Sequence, residues 1–265
     1  MTENNLHVAL LQIHIEAGDP EANIANVMKK LKEAVAASVK PDVIVLPEMW
    51  NTGYALDRIS DLADREGERT KSLLSSFSRE HQIHIIAGSV ADKSGGQVRN
   101  TTYVFDKNGE VSATYSKIHL FRLMEEEKHL TAGEQLGAFF LEDVPVGMLI
   151  CYDIRFPELT RKLALGGAKV LFVPAQWPKP RLHHWRSLLI ARAIENQMYV
   201  VACNRMGTSD GAEFFGHSLI IDPWGEIIAE ADEDETIVTA KLDLQLVDEV
   251  RQRIPVFADR RPQHY

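Results

Sequence analysis

The alternation of apolar and polar positions divides the chain into strand-like and helix-like stretches in regular succession. Residues 6–13, mostly apolar, predict a buried strand. Gly18-Asp19-Pro20 ends it and opens a helix, because Asp19 can cap free amides and proline is tolerated at the first helical position. Ile24, Val27, Met28, Leu31 and Val35 then recur at helical spacing and predict one stripe facing a core. Residues 42–46 form a second apolar strand that runs into Pro47-Glu48. A helix over 71–81 and a strand over 83–89 complete a β-α-β-α-β opening.

Beyond residue 100 the pattern changes. Residues 101–106 and 110–115 are predicted strands flanking Lys107-Asn108-Gly109, a hairpin signal because Asn-Gly accepts positive φ. A strand over 145–150 ends at Cys151, followed by a helix over 157–165, a strand over 169–173 and a helix over 183–196. Strands over 199–204, 214–221, 227–231 and 236–242 follow. The second half repeats the order of the first, so the predicted fold is α/β, a four-layer α-β-β-α sandwich with internal pseudo-symmetry. No Pro/Gly/Ser-rich linker divides the sequence, and 265 residues suit a single domain, 1–265.

Composition narrows the function. Apolar residues make up 45% and charged residues 25%, an ordinary globular mix. Twenty-nine Lys and Arg against 38 Asp and Glu give a net charge of -9, which argues against a nucleic-acid partner and gives no attraction to anionic membranes. No run approaches the roughly 20 apolar residues that span a bilayer. The first residues lack the basic segment of a signal peptide, and two cysteines, Cys151 and Cys203, suit a reducing compartment. The expectation is a cytoplasmic protein.

Three ionisable residues stand at or just past strand ends: Glu48, Lys117 and Cys151. Catalytic groups favour such places in α/β folds, because the scaffold fixes them while leaving them accessible. Cys151 lies between an apolar strand and a helix, so its thiol is expected on a turn near a helix amino terminus, where a thiol pKa falls. A nucleophilic cysteine needs a base or a cation beside it. Glu48 offers the first and Lys117 the second. Each also fits an ordinary role, as core cysteine, solvated carboxylate or surface lysine, and their spacings carry no local geometry. Cys203, inside a strand, reads as inert core. His81, His84, His183 and His184 make no metal constellation, and no Gly-x-Gly-x-x-Gly or phosphate loop points to a nucleotide. Neither a metal nor a cofactor is expected. Asn100-Thr-Thr fits a glycosylation pattern, but nothing in the chain predicts a secretory route.

Leu-Pro-Glu48, Tyr-Ser-Lys117-Ile-His-Leu-Phe and Cys151-Tyr-Asp-Ile-Arg-Phe-Pro-Glu resemble the three signature segments of the carbon–nitrogen hydrolase (nitrilase) superfamily. The resemblance spans the chain and includes Ile-Ala-Gly-Ser (86–89), Asn-Thr (100–101), Ala-Arg-Ala-Ile-Glu-Asn-Gln (191–197), Val-Ala-Cys-Asn-Arg (201–205) and Gly-His-Ser (216–218). It implies the α-β-β-α fold and a triad in which Glu48 is the base, Lys117 stabilises the tetrahedral intermediate and Cys151 is the nucleophile. It also implies a second glutamate, which falls on Glu126, with Glu125 and Glu127 leaving the register open by one. The backbone N–H of Tyr152 is the expected oxyanion donor beside Lys117.

Within the superfamily the chain is most similar to the omega-amidase branch, through Gln176-Trp177-Pro178 and Pro180-Arg181 with His184-Trp185. That implies hydrolysis of a small carboxylated amide, the omega-amide of a 2-oxo dicarboxylic acid, with water as the second substrate. Such a substrate needs a fixed cation. Arg122 and Arg181 are the expected ones, with Arg155 equally suited to tying down the helix start and Trp177 as a pocket wall. A nitrile or N-carbamoyl hydrolase is the alternative on the same triad, although true nitrilases show Cys-Trp-Glu where this chain has Cys-Tyr-Asp. A papain-like Cys–His enzyme lacks a favoured histidine, and a silent scaffold would have no need of the intact triad. The resemblance further implies a homodimer or larger homo-oligomer paired through helices next to the nucleophile, with residues 244–265 packing along the neighbouring subunit.

Overall fold

The computed structural model describes residues 5–209 and 211–264. In chain order the strands of the first half are β1 (Asn5–Gln12), β2 (Val43–Val45), β3 (Asp64–Arg65), β4 (His84–Ile86), β5 (Val90–Ser94), β6 (Gln97–Phe105) and β7 (Val111–Ser116). Those of the second half are β8 (Gly137–Leu141), β9 (Val144–Met148), β10 (Val170–Ala175), β11 (Tyr199–Asn204), β12 (Met206–Ser209), β13 (Ala212–Phe215), β14 (Leu219–Ile221), β15 (Ile227–Glu230) and β16 (Thr236–Asp243). The α-helices are α1 (Pro20–Val35), α2 (Ile59–Leu62), α3 (Glu68–His81), α4 (Glu126–His129), α5 (Pro157–Leu165), α6 (Leu182–Asn196) and α7 (Leu244–Arg253).

Two sheets carry the fold. The first runs β16-β1-β2-β4-β6-β5-β3 with β7 also paired to β6, and the second runs β15-β14-β11-β10-β9-β8. Their centres follow one plan. In the first, parallel β1, β2 and β4 lie between antiparallel β16 and β6. In the second, parallel β9, β10 and β11 lie between antiparallel β8 and β14. The pseudo-symmetry is therefore real at the level of topology.

Period-two alternation along the strands builds the layers. Val8, Leu10, Val43 and Val45 face the second sheet and share a core with Leu149, Phe172 and Val201. Ala9, Leu11, Ile44 and Ile85 point the other way and pack on Val27, Leu31, Leu74 and Phe77 of α1 and α3. On the far side, Leu159 and Leu163 of α5 and Trp185 and Leu189 of α6 close the second sheet. The start of α1 is where the sequence predicts it: Asp19 Oδ1 accepts from Ala22 N at 3.0 Å and Pro20 opens the helix.

Four expectations change. The hairpin after β6 does not use positive φ at Asn108; only Gly109 adopts it, at 79°. Asp106 Oδ1 instead accepts from Asn108 N and Glu110 N at 2.9 and 2.8 Å, and the register shifts by a bulge between Val104 and Phe105. The predicted strand over 214–221 is two strands, because Gly216 and His217 both have positive φ and turn the chain between β13 and β14. Helix α3 starts earlier than residue 71, since the Asp64 carboxylate accepts from Arg69 N and Thr70 N at 3.1 and 2.8 Å. The segment beyond Leu244 does not wait for a partner throughout its length. Leu244, Val247 and Val250 are buried in this chain, and Gln197 Nε2 donates to Ile254 O at 2.8 Å. Tyr265 lies outside the described residues.

The turn that delivers Glu48 depends on a glycine. Gly88 has φ 58°, and a Cβ there would stand 2.0 Å from Pro47 O. Its own carbonyl accepts from Thr102 Oγ1. Gly88→Ala should therefore cost about 2 kcal/mol or more of stability in urea titration, through strained φ and displaced backbone. Because the displaced group is the Pro47-Glu48 turn, turnover should fall in the fraction that remains folded.

Candidate active site

Side chains from both halves converge just past the carboxyl ends of strands of the two sheets. Glu48 follows β2, Cys151 follows β9, Gln176 follows β10 and Lys117 follows β7. Glu126 opens α4, after Glu125 has taken a left-handed conformation (φ 56°) that turns the chain inward. Glu126 is buried, whereas Glu125 and Glu127 are exposed, so the carboxyl at the site is that of Glu126.

Lys117 is the hub. Its Nζ donates to Glu48 Oε1 at 2.9 Å and to Glu126 Oε1 at 2.8 Å, all three side chains being fully enclosed. Burial alone would pull the ammonium pKa down, but the Glu126 and Glu48 carboxylates more than offset it and hold Lys117 well above the usual lysine range. Glu48 is held from several sides. Its Oε1 also accepts from Tyr54 Oη and Asn100 Nδ2, both at 2.8 Å, and its Oε2 accepts from Gln176 N at 2.7 Å. Gln176 Nε2 returns to Glu48 O at 2.7 Å, so one residue fixes both the backbone and the carboxylate.

Cys151 starts a 3-10 turn, Cys151–Arg155, with φ 48°. A non-glycine residue with such a φ is strained and persists only when its surroundings fix it. Asp153 does so: its Oδ2 accepts from Ile150 N at 3.1 Å and Tyr115 Oη at 2.7 Å, and its Oδ1 accepts from His119 N at 2.9 Å. The His119 ring stacks on Phe156 with centroids 3.5 Å apart. As the first groups of a helical turn, the N–H of Cys151 and of Tyr152 have no acceptor within it. The thiol differs from the sequence expectation. Burial pushes its pKa up, the Glu48 carboxylate adds to this, and Lys117 offsets only part of it. The resting group is a neutral thiol, because enclosure outweighs the short turn's dipole.

A narrow cleft opens over this cluster. Its lining includes Tyr54, Tyr152, Trp177, Arg155 and Arg181. Trp177 is buried, and its Nε1 donates to Arg181 O at 3.0 Å. The Arg155 guanidinium lies 4.7 Å from the Trp177 ring centre and that of Arg181 5.9 Å from Phe121. Partial burial, with Arg181 close by, pulls the Arg155 pKa down. Among the described residues neither arginine is paired with a carboxylate. Arg122 is a correction: it is exposed on the 3-10 turn Arg122–Met124 and lines no part of the cleft. Sequence reasoning passed over Tyr54, Gln176 and Asp153 as site residues and saw Asn100 only in a motif. The one available signal was a polar residue inside or just beyond an otherwise buried strand.

Cys203 is elsewhere, buried in β11 with its Sγ 3.4 Å from Leu11 O and from Val45 O. Among the described residues no group of three His, Cys, Asp or Glu is arranged to hold a metal ion, and no helix is long and apolar enough to cross a membrane. Since the raised thiol pKa withholds the thiolate until high pH, alkylation of Cys151 by iodoacetamide should keep rising with pH beyond 9, about where an ordinary cysteine levels off. Peptide mapping should find Cys203 labelled only after unfolding.

Comparison with known proteins places the chain. Residues 7–252 match the carbon-nitrogen hydrolase family. It is 50% identical over 259 residues to the 2-oxoglutaramate amidase of Bacillus subtilis (strain 168), covering 97% of this chain and 98% of that protein. It is 33% identical over 272 residues to the omega-amidase NIT2 of Homo sapiens, covering 98% and 97%. Among solved structures, the carbon-nitrogen hydrolase from Helicobacter pylori G27 superposes with a TM-score of 0.93 at 26% identity, covering 99% of this chain and 97% of that one. With a nitrilase-like fold and a family match over nearly its whole length, the chain belongs to the carbon–nitrogen hydrolase family.

Proposed function

We propose that this protein is a cysteine-dependent amidase that hydrolyses the omega-amide of a 2-oxo dicarboxylic acid and releases ammonia. The observation that carries the substrate class is the pair Arg155 and Arg181, two guanidinium groups that line the cleft holding the thiol and have no carboxylate partner among the described residues. A planar fork suits a carboxylate through two hydrogen bonds. The relatives named 2-oxoglutaramate amidase and omega-amidase support the same reading.

In this reading Glu48 takes the Cys151 thiol proton as Sγ attacks the amide carbon. The oxyanion forms between Lys117 Nζ and the Tyr152 N–H. Glu48 returns the proton to nitrogen, the C–N bond breaks, and ammonia leaves behind a thioester. Water then attacks the thioester, gives a proton through Glu48 to the departing sulfur, and frees the acid. A neutral resting thiol is compatible with this sequence, because the proton leaves sulfur only as the new C–S bond forms. Glu126 holds Lys117 aimed.

Assembly is part of the proposal. Ile194, Trp224 and Ile254 are exposed, the turn at Gly225 abuts Ile194, and the Arg253 guanidinium lies 5.5 Å from the Trp224 ring centre. We read this apolar face, with the chain end beyond α7, as the surface that meets a second copy. The chain is read as cytoplasmic.

Cys151→Ala should abolish turnover, and mass spectrometry of the native enzyme with substrate should trap the thioester. Arg155→Ala or Arg181→Ala should raise KM for 2-oxoglutaramate or 2-oxosuccinamate by about tenfold to a hundredfold, the worth of a charge-assisted hydrogen bond. Propionamide turnover should stay nearly constant in both variants, and Arg122→Ala should be silent. Faster turnover of neutral amides or nitriles than of the carboxylated ones would overturn the substrate reading. For the assembly, sedimentation at micromolar concentration should find a dimer or larger species that Trp224→Asp with Ile254→Asp weakens. A native monomer would count against it.

A further inference from the structure

Tyr54 makes two contacts that its single proton cannot serve. Its Oη lies 2.8 Å from Glu48 Oε1 and 2.7 Å from Glu126 Oε1. A phenol has one proton to donate, and an ionised carboxylate has none. Two oxygen–oxygen separations of this length therefore require a second proton, carried by one of the two carboxyls. The same two oxygens are joined again on the other side by Lys117 Nζ, at 2.9 and 2.8 Å. Charge balance leads to the same result. One ammonium against two fully enclosed carboxylates leaves a buried net negative charge, and one proton cancels it.

The hydrogen-bond partners say which carboxyl holds that proton. Glu48 has four donors around it: Tyr54, Lys117, Asn100 Nδ2 at 2.8 Å and Gln176 N at 2.7 Å. Such a setting favours the ionised form. Glu126 has, besides Lys117 and Tyr54, only Phe121 N at 2.9 Å. Burial pushes its pKa up, against the pull of Lys117. The titratable groups facing Glu126 are Lys117, Glu48, Tyr54 and, through the cleft, Cys151.

We propose that the resting enzyme carries a proton on Glu126, that Glu126 donates it to Tyr54, and that Tyr54 donates its own to Glu48. The three oxygens then titrate as one unit with shared pKa values. Tyr54 is a positioning residue: it keeps Glu48 as the single ionised carboxylate and holds its Oε1 in place. This rests on Glu48 acting as the base and is indifferent to which amide is hydrolysed.

Infrared difference spectroscopy of the intact enzyme at neutral pH, without substrate, tests it directly. A protonated-carboxyl carbonyl band should be present, should vanish in Glu126→Gln, and should move to higher frequency in Tyr54→Phe, where the acid loses its acceptor. Asp92, a second buried carboxyl that burial pushes up, should keep any band of its own in both variants. Kinetically, Tyr54→Phe removes a hydrogen bond that favours the ionised form of the base, so activity is lost at higher pH as the solution is acidified. The acid limb of kcat/KM should move up by about one pH unit, a displacement that lost packing would not produce. The proposal is overturned if wild type shows no protonated-carboxyl band sensitive to Tyr54→Phe, or if that variant loses activity equally at every pH with its acid limb unmoved. The infrared experiment uses no amide, so failure of the substrate reading would leave it standing.

Discussion

Lys117 Nζ bridges Glu48 and Glu126 with all three side chains shut away from solvent. Removing such charges from water costs several kcal/mol for each ion, and the mutual attraction repays this only when the remaining lone pairs are also satisfied. The surroundings follow from that condition. Asn100, Tyr54 and the Gln176 N–H saturate Glu48, and Phe121 N engages the second oxygen of Glu126. Each donor comes from a different element, so the elements cannot shift independently. The sandwich holds the charges in place, and the charges in turn fix how its parts meet.

Electrostatics divides the cleft into two regions of different character. At the thiol end the Lys117 ammonium faces the Glu48 and Glu126 carboxyls, and enclosure pushes the thiol pKa up. Towards the arginines positive charge is left over, and the aromatic faces of Trp177 and Phe121 carry it without neutralising it. An anion entering the cleft would bring the compensating charge itself. Its affinity would then come from completing a balance the free protein leaves open.

Much of this was legible in the sequence, for physical reasons that can be named. Apolar periodicity located α5 and β11 to the residue, because both bury a continuous face. Asp19 and Pro20 gave the start of α1, because caps are local chemistry. Strands β5 and β12 escape because they are polar, and β8 because it is an edge strand only partly buried. Glu48, Lys117 and Cys151 were found as strand-end residues and by resemblance, while their convergence is a tertiary fact. Arg122 is close to Lys117 in sequence, yet the 3-10 turn leaves it exposed, and Arg155 lines the cleft instead. The thiol was misjudged for a related reason: a helix start is visible in sequence, whereas enclosure is not.

The Gln176 clasp bears on how the molecule comes together. Gln176 and Glu48 are 128 residues apart, and Glu48 and Lys117 are 69 apart. A first half formed alone would bring Tyr54, Asn100 and Lys117 to Glu48 Oε1 but would leave Oε2 hydrated, without the amide that accompanies it into the interior. Shedding that water is deferred until the second sheet arrives. Long-range closures of this kind are slow, because the entropy of bringing distant segments together is lost before any contact rewards it. A molecule with an assembled pocket has therefore docked both of its halves.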